Sequence, residues 1–409
     1  MKIINDPIHG YMEFEDWAVQ IIDTPQFQRL REIKQLGTAC FIFPGANHNR
    51  FEHSLGTAHL AYTFTKRLQQ QSNEISEADL KCVTLAALCH DLGHGPFSHV
   101  FEKVSSGLGI QDDEGKVWKH EKGSVMMFDQ LIKELGELDL ESGFRLETED
   151  KKFIKALITG KSNEMPKCLF NIVNNKDNSV DVDKFDYLGR DCYYLGMKSL
   201  FEFSRLMRFS RIMDGQIVYN HKECFNIYEM FHTRYSLHKK VYNHRVSRAI
   251  DHMVIDALMK ADSYYDIKNA IKEPTEYIKL NDSILSTIEH SKCEELEESR
   301  NIVKRIRRRD LYRFVAECLV PKELKDRISK EALEKFFSRK GDNLSNNVIV
   351  EELRLNYGKG DQNPVDDVKF YNKEKHNEAS PIPRTEISYL VPEQYEEVTM
   401  RVFSRESNK

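Results

Sequence analysis

The chain is predicted to be mainly α, a large helical body followed by a smaller mixed α/β lobe. Apolar residues recur at helical spacing in the first part of the chain, as at Ala78, Cys82, Leu85, Ala86, Leu88 and Cys89. Capping signals accompany them: Ser76-Glu77-Ala78-Asp79 reads as a capping box, and Gly93, Gly95 and Pro96 stop the helix that it starts. The character then changes, with the strand-like Val348-Ile349-Val350, the turn Asp361-Gln362-Asn363-Pro364 and Pro381-Ile382-Pro383. The expected division is 1–320 and 321–409, with Ser404 to Lys409 as a disordered tail. There is no internal repeat and no low-complexity segment.

Taken in order, Asp6 to Gly10 reads as a turn and Trp17 to Leu36 as an amphipathic helix interrupted by Pro25. Cys40 to Phe43 reads as a short strand, and His48 to Ser54 opens a helix running to about Gln70. Ser105 to Glu114 reads as a loop, Trp118 to Glu121 as the next helix start, and Glu134 to Lys167 as amphipathic helix. After a polar turn at Asn174 to Asn178, Asp183, Tyr187 and Asp191 fall on one face of a helix. A long helix is expected from Cys224 to Ala261. Arg234, His238 and Tyr242 repeat that spacing on it, and His244 and Arg245 follow. This stripe reads either as an anion pocket with a flat group beside it or as surface salt bridging. Ile284 to Arg313 reads as a polarised helix, acidic at Glu294 to Glu298 and basic at Lys304 to Arg309; such runs are mostly solvated faces, as is the strip Gln28, Arg29 and Arg31.

Of the 409 residues 40% are hydrophobic, which makes the chain globular, and a net charge of -5 gives no overall pull toward nucleic acid or anionic membrane. Mean hydropathy is -0.57 and no run approaches the ~20 apolar residues of a membrane span. Met1 to Pro7 has no signal-peptide apolar core, so an intracellular protein of the nucleus or cytoplasm is expected, without a membrane partner. The eight cysteines form no C-x-x-C pair and read as reduced thiols.

The chemistry concentrates at Cys89-His90-Asp91-Leu92-Gly93-His94-Gly95-Pro96-Phe97-Ser98-His99. Imidazole and carboxylate at one helix end can share a cation, although a His-Asp pair alone is equally well a capped helix end. His53, His90, Asp91 and a distant Asp183 together supply four ligands with positions left open, the layout of a catalytic metal site with a core at about 50–191. Further histidines remain for proton transfer.

This H…HD…D pattern resembles the HD-domain phosphohydrolases. Longer runs sharpen the likeness: Asn5 to Gly10, Ile21 to Arg31, His48 to Gly56, the central motif, Asp181 to Lys184 and Met230 to Arg234 resemble, in order, the SAM-and-HD-domain deoxynucleoside triphosphate triphosphohydrolases. The resemblance implies a helical HD core that cleaves a dNTP to deoxynucleoside and inorganic triphosphate, with zinc, iron or manganese at the HD site and magnesium on the nucleotide phosphates. It implies His53, His90, Asp91 and Asp183 as metal ligands. His94, His99, His120 and either Glu102 or Glu121 match the proton-transfer group, with His99 as general acid to the 5′ oxygen. Arg50, Lys184 and Arg234 match the phosphate cations, and Gln35, Tyr187, Asp191 and Tyr242 the deoxyribose pocket.

The same likeness implies a homotetramer assembled by nucleotides. Lys2, Ile3, Asp23, Gln28, Arg31, Arg309 and Arg313 match a site for GTP or dGTP, and Asn5, Ile42, Phe43, Arg205, Lys222, Asn226, His244 and Arg245 a second site for a dNTP. Three departures accompany the match. The chain begins at Met1 next to Lys2, implying no SAM domain, Gln362 replaces a lysine between the activators, and Asn220 replaces an arginine. An alternative from another class is a nucleotide-sensing protein, or one with weak single-stranded nucleic-acid binding, whose HD site is vestigial.

Overall fold

Strand β1 (Lys2–Asp6) turns at 7–9 and returns as antiparallel β2 (Gly10–Phe14). This is a computed structural model, and it describes residues 1–72, 74–136, 145–161, 166–325, 327–341, 346–374 and 377–407. Parts of the expected Glu134–Lys167 helix, at 137–144 and 162–165, and the last two residues of the expected tail lie outside them.

The expected Trp17–Leu36 helix is broken more thoroughly than Pro25 alone suggests. Helix Asp16–Ile22 ends, Thr24 caps a new turn at Pro25–Gln28 with Pro25 in its first position, and a 3-10 turn Arg29–Glu32 follows. Cys40–Phe43 is not a strand: Gly37–Phe41 is a 3-10 turn, with Gly37 at φ +52°. The helix after Ser76 begins as its capping signal indicates, and the one before it has a capping box too. Arg50–Gln69 starts on the Asn49/Glu52 capping box and Glu77–Cys89 on the Ser76/Asp79 box. Arg50–Gln69 packs against both Glu77–Cys89 and Val182–Tyr194, so the three helices that carry the expected ligands lie side by side. Helix His99–Gly107 takes the first part of the expected loop, and His120–Leu135 begins at its expected place.

The long helix expected from Cys224 to Ala261 is two, Cys224–Leu237 and Arg245–Lys260, joined by a π turn His238–Tyr242. Asn243 makes the break, both its backbone N–H and its side-chain amide donating to the His238 carbonyl. The polarised stretch is likewise divided, into Ile284–His290 and Glu297–Arg307.

Strand β3 (Ser210–Met213) and β4 (Gln216–Asn220) form a hairpin, and a short β7 (Phe370–Tyr371) pairs in parallel with β4. In the C-terminal lobe β8 (Glu396–Ser407) lies between β5 (Tyr312–Val320) and β6 (Val348–Asn356), antiparallel to both. Ser404–Ser407 is therefore strand and not tail: Ser407 pairs with Tyr312 and Ser404 with Arg313 and Val348, so ladder bonds decide where polar composition suggested disorder. β5 also lies on the near side of the expected 320/321 division while pairing wholly with the far side, so we propose Tyr312 as the start of the lobe. The main core runs through both parts, from Phe64, Phe101, Phe128 and Phe185 to Tyr357, Phe370 and Phe403. A small satellite core of Val320, Val350, Val398 and Met400 lies under Leu333 and Phe337 of helix Lys330–Ser338. Among the described residues no helix is long and apolar enough to cross a membrane, and all eight cysteines are free thiols.

Candidate functional site

Caps place two of the four expected ligands, and a helix end places the other two. Asn49 holds His53 in the first turn of Arg50–Gln69, and Asp181 accepts from the Lys184 backbone N–H (3.2 Å), setting Asp183 in the first turn of Val182–Tyr194. His90 and Asp91 leave the end of Glu77–Cys89. Gly93 follows because a Cβ there would lie 2.0 Å from the Ser124 backbone nitrogen, which allows helix His120–Leu135 to close on the motif.

Hydrogen bonds fix which imidazole nitrogen is free. His90 Nδ1 lies 2.6 Å from the Ala87 carbonyl, which can only accept, so the proton is on Nδ1 and the Nε2 lone pair points outward. His53 Nδ1 lies 2.7 Å from Asp186 Oδ2, with the same consequence. His53 Nε2 is 3.1 Å from Asp183 and 3.5 Å from Asp91, while His90 Nε2 is 3.4 Å from Asp91 and 3.5 Å from Asp183. Ligands at ~2.1 Å from one cation stand about 3.0 to 3.4 Å apart in octahedral or tetrahedral geometry. His90 Nε2 is buried without a hydrogen bond. The donor set fits a divalent metal. Burial presses the His53 pKa down, but its bonds to Asp183 and Asp186 outweigh this and lift it to about 10, so a cation bound here would displace a proton from Nε2 to use its lone pair.

Beside it is a histidine array. His94 stacks on His120 with centroids 3.9 Å apart, and His99 stands edge-on to both. His120 Nδ1 is 2.5 Å from Glu102 Oε1 and 3.7 Å from Glu121. Burial, Arg50 and His120 hold His94 well below the usual imidazole range, so it is neutral. Burial also lowers His120, but the bond to Glu102 outweighs it and raises the group. His99 is 69% exposed and 3.6 Å from Glu102, the most accessible member of the array. It is delivered by two non-glycine residues with positive φ, Phe97 (+60°) and Ser98 (+58°). Asp282 accepts from Phe97 N (2.6 Å) and Lys34 N (2.9 Å), while Ser98 Oγ donates to the Lys34 carbonyl and accepts from Arg50 Nε.

These groups open on a cavity of ≈ 630 Å³. Its expected cations are partly engaged. Arg50 bonds Asp91 and Ser98, Lys184 Nζ is 3.0 Å from Asp181, and Arg234 donates to the Asn356 carbonyl at 2.6 Å. Of the expected sugar pocket, Asp191 accepts from Tyr242 and contacts His48 Nε2 at 2.6 Å, Gln35 has a buried Oε1 without a partner, and Tyr187 lies in the wall. Sequence reasoning overlooked Asp186, His48, Asp282 and Lys103, the last lining the cavity four residues after His99. The spacing of Asp186 from Asp183 and Arg190, three and four residues on a helix, was a usable signal.

The expected activator residues lie away from this cavity. Lys2 pairs with Asp23 (3.0 Å), Arg31 donates to Gln28 (2.8 Å), and Arg309 donates to the Phe41 carbonyl. Ile3 and Arg313 are strand residues of β1 and β5. The second set falls into groups: Phe43 edge-on to His244, next to Ile42 and Arg245, and Arg205 with Asn226 on Glu223 beside Lys222. Asn5 sits in β1.

The HD domain family matches residues 50–188, and the HD associated region matches 201–351. The chain is 46% identical over 412 residues to a Dictyostelium discoideum protein named deoxynucleoside triphosphate triphosphohydrolase SAMHD1 homolog, covering 100% of this chain and 78% of that one. To the Homo sapiens deoxynucleoside triphosphate triphosphohydrolase SAMHD1 it is 40% identical over 448 residues, 100% of this chain and 71% of that protein. To a putative HD domain-containing protein of Acanthamoeba polyphaga mimivirus it is 30% identical, over 99% and 93%.

Proposed function

The chain belongs to the family of SAMHD1-type deoxynucleoside triphosphate triphosphohydrolases, and from that premise we propose that it hydrolyses a dNTP to the deoxynucleoside and inorganic triphosphate. The observation that carries the reading is the convergence of two imidazole lone pairs and two carboxylates at cation spacing on the wall of a cavity that also holds free histidines. His53, His90, Asp91 and Asp183 would hold a divalent metal. When bound, it supplies Lewis acidity at the phosphoryl oxygens and acidity to water.

The chain's own residues do the rest. Arg50, Lys184 and Arg234 bind the triphosphate and offset the charge gathering on its bridging side as the bond to the 5′ oxygen breaks. An alkoxide leaves poorly, so His99, the exposed imidazole, gives its proton to the 5′ oxygen. Glu102 bonds His120 and is itself held far below its usual range, its two histidine contacts outweighing burial. It is thus an anion that can steady a proton on His99 or His120. The Tyr242 hydroxyl, fixed on Asp191, closes the sugar pocket against a 2′ hydroxyl.

Activation by GTP or dGTP and a dNTP, through a nucleotide-assembled homotetramer, belongs to the same proposal, with the C-terminal lobe as its regulatory part. Asp23 with Arg31 is suited to a guanine edge and not to an adenine. Loss of charge at Gln362 and Asn220 weakens activator affinity by roughly one to two decades per contact.

Purified protein with dGTP and manganese or magnesium should release deoxyguanosine and triphosphate; dGMP and pyrophosphate would refute the reaction. Turnover of dATP should need GTP, and sedimentation should show larger assemblies with GTP and a non-hydrolysable dNTP, both lost in Asp23→Ala. Full dATP turnover without guanine nucleotide would overturn the activation part alone.

A further inference from the structure

A second cavity of ≈ 300 Å³ lies where the C-terminal lobe meets the helical body. Lys167 and Asn171 of helix Lys167–Val173 form one wall, the polar turn at Lys176 and Asp177 a second, and β4 (Gln216, Ile217) a third. The segment bearing Lys359, Asp367 and Lys369 closes it. Four lysines thus face two aspartates.

The aspartates are already matched. Asp177 is 3.1 Å from Lys167 Nζ, and Asp367 pairs with Lys359, whose Nζ also donates to the Asp177 carbonyl at 2.9 Å. Lys176 and Lys369 form no ion pair among the described residues, so the cavity keeps two uncompensated positive charges. Asn171 adds an independent sign of a ligand. It is only 7% exposed and lines the cavity, and its amide makes no hydrogen bond among the described residues. Open to the cavity, that amide is free to donate to a bound acceptor.

We propose that this cavity binds a phosphate-bearing anion, independently of the dNTP cavity. Surplus ammonium groups recognise phosphate as point charges, and the Asn171 amide supplies a neutral donor at the floor. Lys176 lines both cavities, so a polyanion leaving the first passes a lysine that belongs to the second. Inorganic triphosphate is therefore the probe chosen, a choice that rests on the reaction proposed above; the anion site itself does not. An occupant would join helix Lys167–Val173 to the 359–369 segment and so hold the lobe against the body.

The test is calorimetric titration of the full chain with sodium tripolyphosphate, in EDTA and with saturating GTP and a non-hydrolysable dNTP, which fill the larger cavity and the activator sites proposed above. One further site per chain is expected. Lys167→Gln with Lys369→Gln should weaken it ~10-fold or more, and Asp367→Asn, which frees Lys359, should tighten it several-fold. Lys268→Gln with Lys272→Gln, elsewhere on the surface, should change nothing. Orthophosphate forms the second arm: binding as tight as tripolyphosphate identifies a single-phosphate site, and much weaker binding a polyphosphate site. Absence of a further site for either anion, or equal losses in the Lys268/Lys272 control, overturns the proposal. Because no turnover is read, a chain that binds here but does not hydrolyse dGTP refutes only the reaction, and the reverse result refutes only this site.

Discussion

Asp186→Asn tests how the protein fixes the free lone pair of His53. The Asp186 carboxylate is fully buried and takes four contacts: His53 Nδ1 at 2.7 Å, His9 Nε2 at 2.6 Å, and Arg190 through Nε at 2.9 Å and a terminal nitrogen at 2.8 Å. Burial raises its pKa, but Arg190 outweighs this and holds it well below the usual carboxylate range, so the group is an acceptor only. An asparagine would turn an N–H toward one of those donors. Breaking a buried ion pair costs ~3 to 5 kcal/mol, and the Arg190 bond that survives to Asp6 (2.8 Å) argues for the lower end, about 3 kcal/mol. Against a total of ~5 to 15 kcal/mol, the variant still folds. Loss of an outer-shell carboxylate typically weakens metal binding ~10- to 100-fold. Manganese titration of EDTA-stripped protein, followed by melting temperature and dGTP turnover, reads both effects. Asp6→Asn is the control, because it disturbs Arg190 and leaves the Asp186–His53 contact in place: it should melt early and bind metal normally. Equal metal affinity in the two variants would refute the assignment of Asp186 to His53 orientation. A Cβ at residue 56 would stand 1.9 Å from Asp186 Oδ1, so Gly56→Ala should reproduce the Asp186→Asn defect by displacing the carboxylate.

Replacing His90 and Asp91 together with alanine removes two of four donors and should abolish both metal content, measured by emission spectrometry, and turnover. His99→Ala should keep the metal and lose ~10²-fold or more in kcat, the usual weight of a general acid; loss of metal would move His99 into the ligand set. Lys103 is open to the dNTP cavity, yet the surrounding protein and then Arg248 bring its pKa down to about 8. Its charge is present below that pH and lost as pH rises through it, so KM for a dNTP should climb between pH 7 and 9. Lys103→Gln should start from a higher KM and lose that rise; an unchanged slope would show that another group titrates.

The sequence reveals those parts of the site that chemistry confines to short runs. A cation needs imidazole and carboxylate, and these stand in short runs, His90-Asp91 at the end of the helix that Ser76 caps, so His53, His90, Asp91 and Asp183 can be nominated as ligands without coordinates. Most of what supports them cannot. No spacing rule links His53 to Asp186, Phe97 to Asp282 or His48 to Asp191, because each contact crosses between elements far apart in the chain. The break at Asn243 carries no glycine or proline, and Ser404–Ser407 looks like a tail because ladder bonds, unlike side chains, leave no trace in composition.

The division of the chain into a helical body and a lobe misleads most at the cavity. From β6, Glu351 reaches Arg248, which also binds Asp251; Asp251 in turn accepts from Thr38, and all four are buried. Lys103 Nζ lies 3.7 Å from the same Glu351. Two residues further along β6, Leu353 enters the cavity wall, and the Asn356 carbonyl holds Arg234. A strand of the lobe thus positions a cation expected at the phosphates, and it contacts the helix that begins at His99. The buried Glu351–Arg248–Asp251 ion pairs move as a unit or break, since stranding one of these charges costs ~3 to 5 kcal/mol. A ligand or partner copy that shifts β6 must therefore alter Arg234 and the His99–Gly107 helix together, and this is the physical route by which the proposed activators would reach the chemistry.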